Sequence, residues 1–498
     1  MTRKDFLTVG ASALAPPRLP AGIQAARTSA QPKNVLFLLS DQHRPRTMGC
    51  AGDAVAHTPN LDTLARSGIR FDSAYCTNPV CTPSRASILT GLYTHNHRAW
   101  ANSTPWPIEH RTMAHHFSRA GYVTGLIGKM HFVDAQTHGF DYRMDFNDWF
   151  QYLGPKVGLY AEELNRPNSG AGMPQIDDLW RDFGDPWTGT RAPDGRKALV
   201  HVGRVSKIPE RDHFESFVAR ESVRFLKNFG RKNPFLLISS FLKPHDPYMP
   251  AQRFADRYPA SAMRLPATNG KVDLSTVPKE IRDRILTPTA TPELAAPELG
   301  KQRMAMYYAN LAQMDDCIGQ VLAALRELDM EKDTVVLYSS DHGEMLGEHG
   351  LWQKFVFYDP SVGVPLLFRV PGVTAPGARC ATPASLVQLV STLLELCGIP
   401  VPSGLDGDSL VPCLREPQKT LDRTVYAEHN LHNAKLARFM IRRGDFKYSH
   451  YTDDMPELYD LRRDPEEMKN LALLPAHKDK AAEMKEEIFR WYKPPARA

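Results

Sequence analysis

Val35-Leu36-Phe37-Leu38-Leu39-Ser40-Asp41-Gln42 is a short apolar run that ends on a carboxylate and an amide. Apolar residues without alternation read as a strand covered on both faces, because a strand with one wet face would alternate. Four more runs share the pattern: Tyr122 to Ile127, Phe235 to Ser239, Thr334 to Tyr338 and Pro365 to Val370. Between them, Leu61 to Arg66, Met113 to Arg119, Phe214 to Phe229, Gln302 to Leu328 and Leu386 to Cys397 place apolar residues at helical spacing. This alternation predicts an α/β fold, with a large, mostly parallel central sheet flanked by helices on both faces.

From about Pro417 the texture changes. Arg438 to Tyr448 and Leu458 to Leu461 read as short strands, and Lys478 to Trp491 as a charged helix. A small C-terminal subdomain is expected there, with an antiparallel sheet and a terminal helix. The expected division is therefore 1–30 as an export segment, 31–416 as the main domain and 417–498 as the subdomain.

A length of 498 residues permits a sizeable core, and 42% hydrophobic with 23% charged residues is ordinary for a globular protein. Forty prolines, dense between Pro155 and Pro297, predict long irregular connections. The net charge of +5 is spread along the chain, which argues against nucleic acid as a partner and suits an anionic substrate. Arg3 and Lys4, the apolar stretch Phe6 to Ala15 and small residues at 21–30 read as an export signal. Residues 2–7 resemble a twin-arginine signal with Lys in the second basic place, so a periplasmic or secreted protein is expected. No later stretch offers the roughly 18 apolar residues of a membrane span. Seven cysteines are too few and too irregularly spaced for a disulfide framework, and the odd count leaves one unpaired or altered.

Ligand sites in parallel sheets lie where chain leaves the carboxyl ends of strands. Those exits carry Asp41-Gln42, Lys129 to His131, His245 and Asp341-His342. Asp41, Gln42, Asp341 and His342 together suit a divalent cation, Ca²⁺ or Mg²⁺ on their oxygens, with the His342 nitrogen fitting either a softer metal or a supporting role. Either pair alone reads equally well as a helix cap. Cys81-Thr82-Pro83-Ser84-Arg85 precedes a helix-like Ala86 to Leu89, which puts Cys81 near a helix N-terminus that favours anions. By composition alone a buried structural thiol is the commoner reading, and Cys50 and Cys76 are read that way.

Cys81-Thr82-Pro83-Ser84-Arg85, followed by Ala86-Ser87-Ile88-Leu89-Thr90-Gly91, resembles the sulfatase signature. Gly121 to His131 is similar to the family's second signature, and Glu457 to Leu471 to its C-terminal part. The likeness spans about Asn34 to Leu471 and is patchy over 141–211 and 253–300, where family members shape their substrate pockets. It implies a type I sulfatase of the alkaline phosphatase superfamily. Its nucleophile would be formylglycine, made from Cys81 by a formylglycine-generating or equivalent maturation enzyme.

The resemblance further implies that Asp41, Gln42, Asp341 and His342 hold the cation together with modified Cys81. Arg85 and Lys129 would hold the nucleophile, His131 would reset the aldehyde, and His245 and Lys354 would grip the sulfate and assist the leaving oxygen. Gln42 stands where many sulfatases have a second aspartate, and His342 where Asn is frequent. The chemistry is coherent, since a sulfate ester gains charge on its leaving oxygen and needs cations and a proton donor facing it.

The expected substrate is a sulfated small molecule or carbohydrate; Lys243 to Tyr248 also resembles choline sulfatases. Two rival readings are a phosphonate monoester or phosphodiester hydrolase of the same superfamily and a noncatalytic glycan-binding protein. Glu344, Glu348 and His349 are left outside the expected site.

Overall fold

The computed structural model describes residues 34–493 apart from 108, 133–135, 161–202, 287–296, 432 and 434. The expected export segment lies outside the described residues. In chain order the first ten strands are β1 (Asn34–Asp41), β2 (Ile69–Phe71), β3 (Ala74–Tyr75), β4 (Val123–Gly128), β5 (Tyr142–Met144), β6 (Phe235–Pro244), β7 (Thr334–Ser340), β8 (Leu366–Arg369), β9 (Ala378–Cys380) and β10 (Ala384–Ser385). Among the described residues, eight of these form one sheet in the order β5-β4-β6-β1-β7-β8-β2-β9. From β5 to β7 every pairing is parallel. β8 runs antiparallel to both β7 and β2. The run Pro365 to Val370 thus enters the sheet reversed, a direction that its composition does not encode.

β1 is buried at every residue. Val35, Phe37 and Leu39 point into one core, with Ile88, Phe117 and Leu393. Leu36 and Leu38 point into the other, with Phe217, Val218 and Ile318. This two-sided burial is why the strand does not alternate, and each such side chain contributes roughly 1.5–3 kcal/mol. Helices Phe214–Phe229 and Pro297–Glu327 cover the second core, and Cys81–Thr90, Met113–Arg119 and Leu389–Leu396 the first. Helix Cys81–Thr90 is longer than the expected 86–89, and all ten of its residues are buried. A helix covered all round has no apolar stripe, so periodicity does not mark its ends.

The C-terminal part holds β11 (Thr424–His429), β12 (Arg438–Arg443), β13 (Phe446–Tyr451) and β14 (Glu457–Asp460) in an antiparallel meander. The stretch Arg438 to Tyr448 is divided by a two-residue turn at Gly444-Asp445, where Gly444 has φ 58°. β11 adds a strand that the sequence reading lacked. Helix Lys478–Trp491 lays Met484 and Ile488 against Phe439, Ile441, Tyr448 and Leu458.

One join between this sheet and the rest is His95, whose Nδ1 lies 2.8 Å from Glu428 Oε2 on β11. Tyr93 stacks on the His95 ring, and Trp491 meets it edge-on at 5.0 Å. Burial lowers the imidazole pKa, but the Glu428 hydrogen bond and charge outweigh it, and the folded value lies above the ordinary 6.5. A raised histidine stabilises the fold fully below its unfolded pKa and loses that contribution as pH climbs through the folded one. From about pH 6 upward, the melting temperature is therefore expected to fall more steeply with pH in the wild type than in Glu428→Gln. Parallel slopes in melting curves would refute this.

Candidate active site

β4, β6, β1 and β7 lie side by side and end level, with Gly128 opposite Ser240 and Ser40 opposite Ser340. Asp41 closes β1, Lys129 leaves β4, His245 leaves β6, and Asp341-His342 leave β7. Parallel strands must finish at one edge, so residues about 300 apart in sequence meet there. Gly128 is needed for the tight finish. Its φ is +112°, and a Cβ there would lie 1.8 Å from the Ser240 carbonyl oxygen.

Helix Cys81–Thr90 begins under this edge, and Cys81 is its first residue. The Cys81 Sγ lies 3.1 Å from Lys354 Nζ, 3.2 Å from His342 Nε2, 3.7 Å from Lys129 Nζ and 3.9 Å from Asp41 Oδ1. One turn along, Arg85 ties the strand ends together. Its Nε donates to Asp341 Oδ2 at 2.8 Å and its Nη2 to Asp41 Oδ2 at 3.0 Å. Its Nη1 donates to the Lys129 carbonyl and to Ser240 Oγ. Lys129 Nζ meets Asp41 Oδ2 at 2.5 Å.

His245 Nε2 is 3.0 Å from Lys354 Nζ, and its Nδ1 is 2.8 Å from Asp246 Oδ1. His131 shares a hydrogen bond with Cys81, while its Nδ1 is buried with no partner. All ten expected site positions, Cys81 being counted once, lie at this strand edge.

The charges shift one another. Burial and Asp41 push the Cys81 thiol up, but Lys129, Lys354 and His342 outweigh them and hold it well below the ordinary value. Burial raises Asp41 while Lys129, His245, Arg85 and Lys354 draw it well down. Asp341 is raised, by burial and by the neighbouring Asp41 charge. His245 is pressed down by burial and Lys354 but lifted by Asp246 and Asp41, to about 9. His131 is lowered, mainly by burial. A buried side chain facing Lys129, Lys354 and Arg85 marks a place suited to negative charge. Cys76 is different: burial and Asp341 raise it, and it makes no contact of this kind.

The donor set also fits a divalent cation. Ligand atoms of Asp41, Cys81, Asp341 and His342 all lie within 4.8 Å of one another. Gln42 Oε1, next along the chain from Asp41, is buried without a partner. Two carboxylates and an unclaimed amide oxygen are the hard donors that Ca²⁺ or Mg²⁺ takes.

Backbone strain gathers here as well. Gln42, His131, Gln353 and Phe355 are non-glycine residues in the left-handed region, at φ 63°, 56°, 67° and 79°. Such conformations cost of order 1–3 kcal/mol each and persist where surroundings hold them. Arg284 Nη2 donates to the Lys354 carbonyl and Arg438 Nη1, on β12, to that of Phe355. The C-terminal sheet thereby helps aim Lys354. The sequence reading missed these two arginines and Ser240, because nothing in their spacing marks a contact made across the fold. Tyr248, in the stretch that resembles choline sulfatases, is fully buried, and its hydroxyl contacts Gln42, Glu344 and Arg303.

A mostly parallel sheet with oxygen donors and cations converging at its carboxyl edge defines the class: an α/β protein with a site at its strand ends suited to a cation and an anion. Residues 33–399 match the sulfatase family model, and 347–493 match the C-terminal model of N-sulphoglucosamine sulphohydrolase. The chain belongs to the sulfatase family, enzymes that hydrolyse sulfuric esters. It is 31% identical to a choline-sulfatase of Rhizobium meliloti over 89% of this chain and 83% of that protein. It is 26% identical to an N-acetylglucosamine-6-O-sulfatase of Bacteroides thetaiotaomicron, covering 88% and 82%. The solved phosphonate monoester hydrolase of Agrobacterium radiobacter, 24% identical, shares the fold with a TM-score of 0.75 over 93% of this chain and 95% of that one.

Proposed function

We propose that this chain hydrolyses sulfate monoesters of a sulfated carbohydrate, with a formylglycine made from Cys81 and a divalent cation, Ca²⁺ or Mg²⁺. The observation that carries the reading is the Cys81 side chain, buried among Lys354, His342, Lys129 and Asp41, all within 3.9 Å of its sulfur. Asp41, Gln42, Asp341 and His342 would hold the cation, which supplies Lewis acidity toward the sulfate oxygens. An aldehyde at position 81 would supply, as its hydrate, both an attacking hydroxyl and a second one for release of sulfate, which a thiol does not offer.

The remaining roles fall to side chains already in place. Arg85 and Lys129 hold the reacting group and neutralise Asp41 and Asp341. Lys354 and His245, 3.0 Å apart, face the same space as cationic donors, placed to grip the sulfate and to give a proton to the leaving oxygen. His131, its pKa lowered by burial, is neutral near pH 7 and able to accept a proton beside Cys81. Maturation would be carried out by a formylglycine-generating or equivalent enzyme, and export by a periplasmic or secretory route would follow from residues 1–30. Within this reading 31–416 form the catalytic domain and 417–498 the subdomain that helps aim Lys354.

Phosphonate monoester hydrolysis is the second reading, favoured by the fold likeness to the Agrobacterium enzyme. Steady-state turnover on an aryl sulfate, a phosphonate monoester and a phosphodiester decides between them. The sulfate is expected to give the highest kcat/KM, and a preference for the phosphonate overturns the proposal. On the sulfate, Lys354→Met is expected to lower kcat by about 10²–10³-fold, since it removes a preorganised charge from a dry site. A loss under about tenfold, roughly 1.4 kcal/mol, would remove Lys354 from the chemistry.

A further inference from the structure

Glu344 follows His342 by two residues and is fully buried. Its Oε1 accepts the backbone N–H of Leu346 at 2.9 Å and of Gln353 at 2.6 Å. Its Oε2 accepts Gln42 Nε2 at 2.5 Å and the Tyr248 hydroxyl at 3.5 Å. Arg303, also fully buried, lies 3.7 Å away and balances its charge.

An ionised carboxylate only accepts hydrogen bonds, whereas an amide has one end of each kind. Glu344 therefore takes the NH₂ end of Gln42 and leaves Oε1, which has no partner, as the end on offer. The same carboxylate holds Gln353 N–H, one residue before Lys354 and in the strained left-handed segment. A carboxylate at 42 would face Glu344 at this distance, and two carboxylates so close do not both ionise. Gln42, the departure from paired aspartates, and Glu344 thus form a matched donor and acceptor.

We infer that Glu344 is a positioning residue that selects which end of the Gln42 amide meets a divalent cation, and that it fixes through Gln353 the backbone that delivers Lys354. This rests on the reading of Gln42 as a cation ligand. Residues that orient metal ligands typically cost 10–100-fold in affinity when changed.

The test uses full-length enzyme stripped with chelator and titrated with CaCl₂ by calorimetry, with MgCl₂ in parallel, and the cation-induced shift in melting temperature followed for each variant. Glu344→Gln sets one NH₂ against another, turns the Gln42 amide, and is expected to weaken cation binding by about 10–100-fold. Combining Gln42→Glu with Glu344→Gln restores a donor facing an acceptor, and the introduced amide oxygen still accepts the N–H groups of Leu346 and Gln353. The double variant is expected to recover most of the lost affinity, which a merely structural defect would not. Glu344→Asp, a milder change that keeps the charge but withdraws it, should weaken binding in the same direction if Glu344→Gln does not fold. Wild-type affinity in Glu344→Gln, or a double variant binding no better than the single one, overturns the inference. A wild-type enzyme that binds neither cation instead defeats the underlying assignment of the cation site, and the inference with it.

Discussion

Cys81→Ala is expected to abolish sulfate-ester hydrolysis, lowering kcat by at least about 10⁴-fold, the scale on which enzymes lose activity when a nucleophile is deleted. The side chain is almost wholly buried, and the change removes only one sulfur from a compact pocket, so the fold should survive. What disappears is the group that Lys354, Lys129 and His342 surround. Lys354 and Lys129 can still bind a sulfate, but nothing remains to attack it. Turnover of an aryl sulfate and the far-UV spectrum should be measured on the same preparation. Mass spectrometry of the Cys81 peptide from active enzyme is the companion measurement, because an unmodified thiol in fully active protein would exclude the aldehyde. Retention of turnover within tenfold of wild type would exclude a nucleophile at this position altogether. It would also return the noncatalytic glycan-binding reading to consideration if binding persisted.

Arg85→Met is expected to destabilise the chelator-treated protein by about 3–5 kcal/mol, the usual cost of leaving a buried charge without its partner. Asp41 and Asp341 are both fully buried, and one guanidinium spans them. The same group bonds the Lys129 carbonyl and Ser240 Oγ, so four strand ends lose their common tie. Arg85→Lys should recover little, since an ammonium is a point charge without the planar fork that reaches all four acceptors. Urea unfolding measures the loss, and added Ca²⁺ should restore part of it by supplying countercharge to the same carboxylates. A loss below about 1 kcal/mol would mean that the carboxylates are neutral or paired without Arg85.

The parallel strands were legible because burial on both faces forces continuous apolar runs, as Val35 to Leu39 shows. Helices Met113–Arg119 and Phe214–Phe229 were legible because each has one buried stripe. Helix Cys81–Thr90 was not bounded by pattern, since burial on all sides erases the stripe. β8 was seen as a strand, but its reversal depends on which neighbour it meets. For the site, positions just after strands carried the signal, and signature motifs strengthened it at Cys81 and Lys129. Glu344 carries no such signal, although its carboxylate contacts both Gln42 and the Gln353 backbone.

By itself, then, the sequence determined the α/β class, the family and the residue types available for anion and cation binding, because burial patterns and short motifs are local properties of the chain. Only the tertiary structure decided which end of the Gln42 amide is free, that Arg85 bridges two carboxylates, and that Arg284 and Arg438 brace Lys354. Each of these is a directional hydrogen bond or ion pair between residues far apart along the chain. Its energy depends on distances that exist only after the strand ends have been brought level.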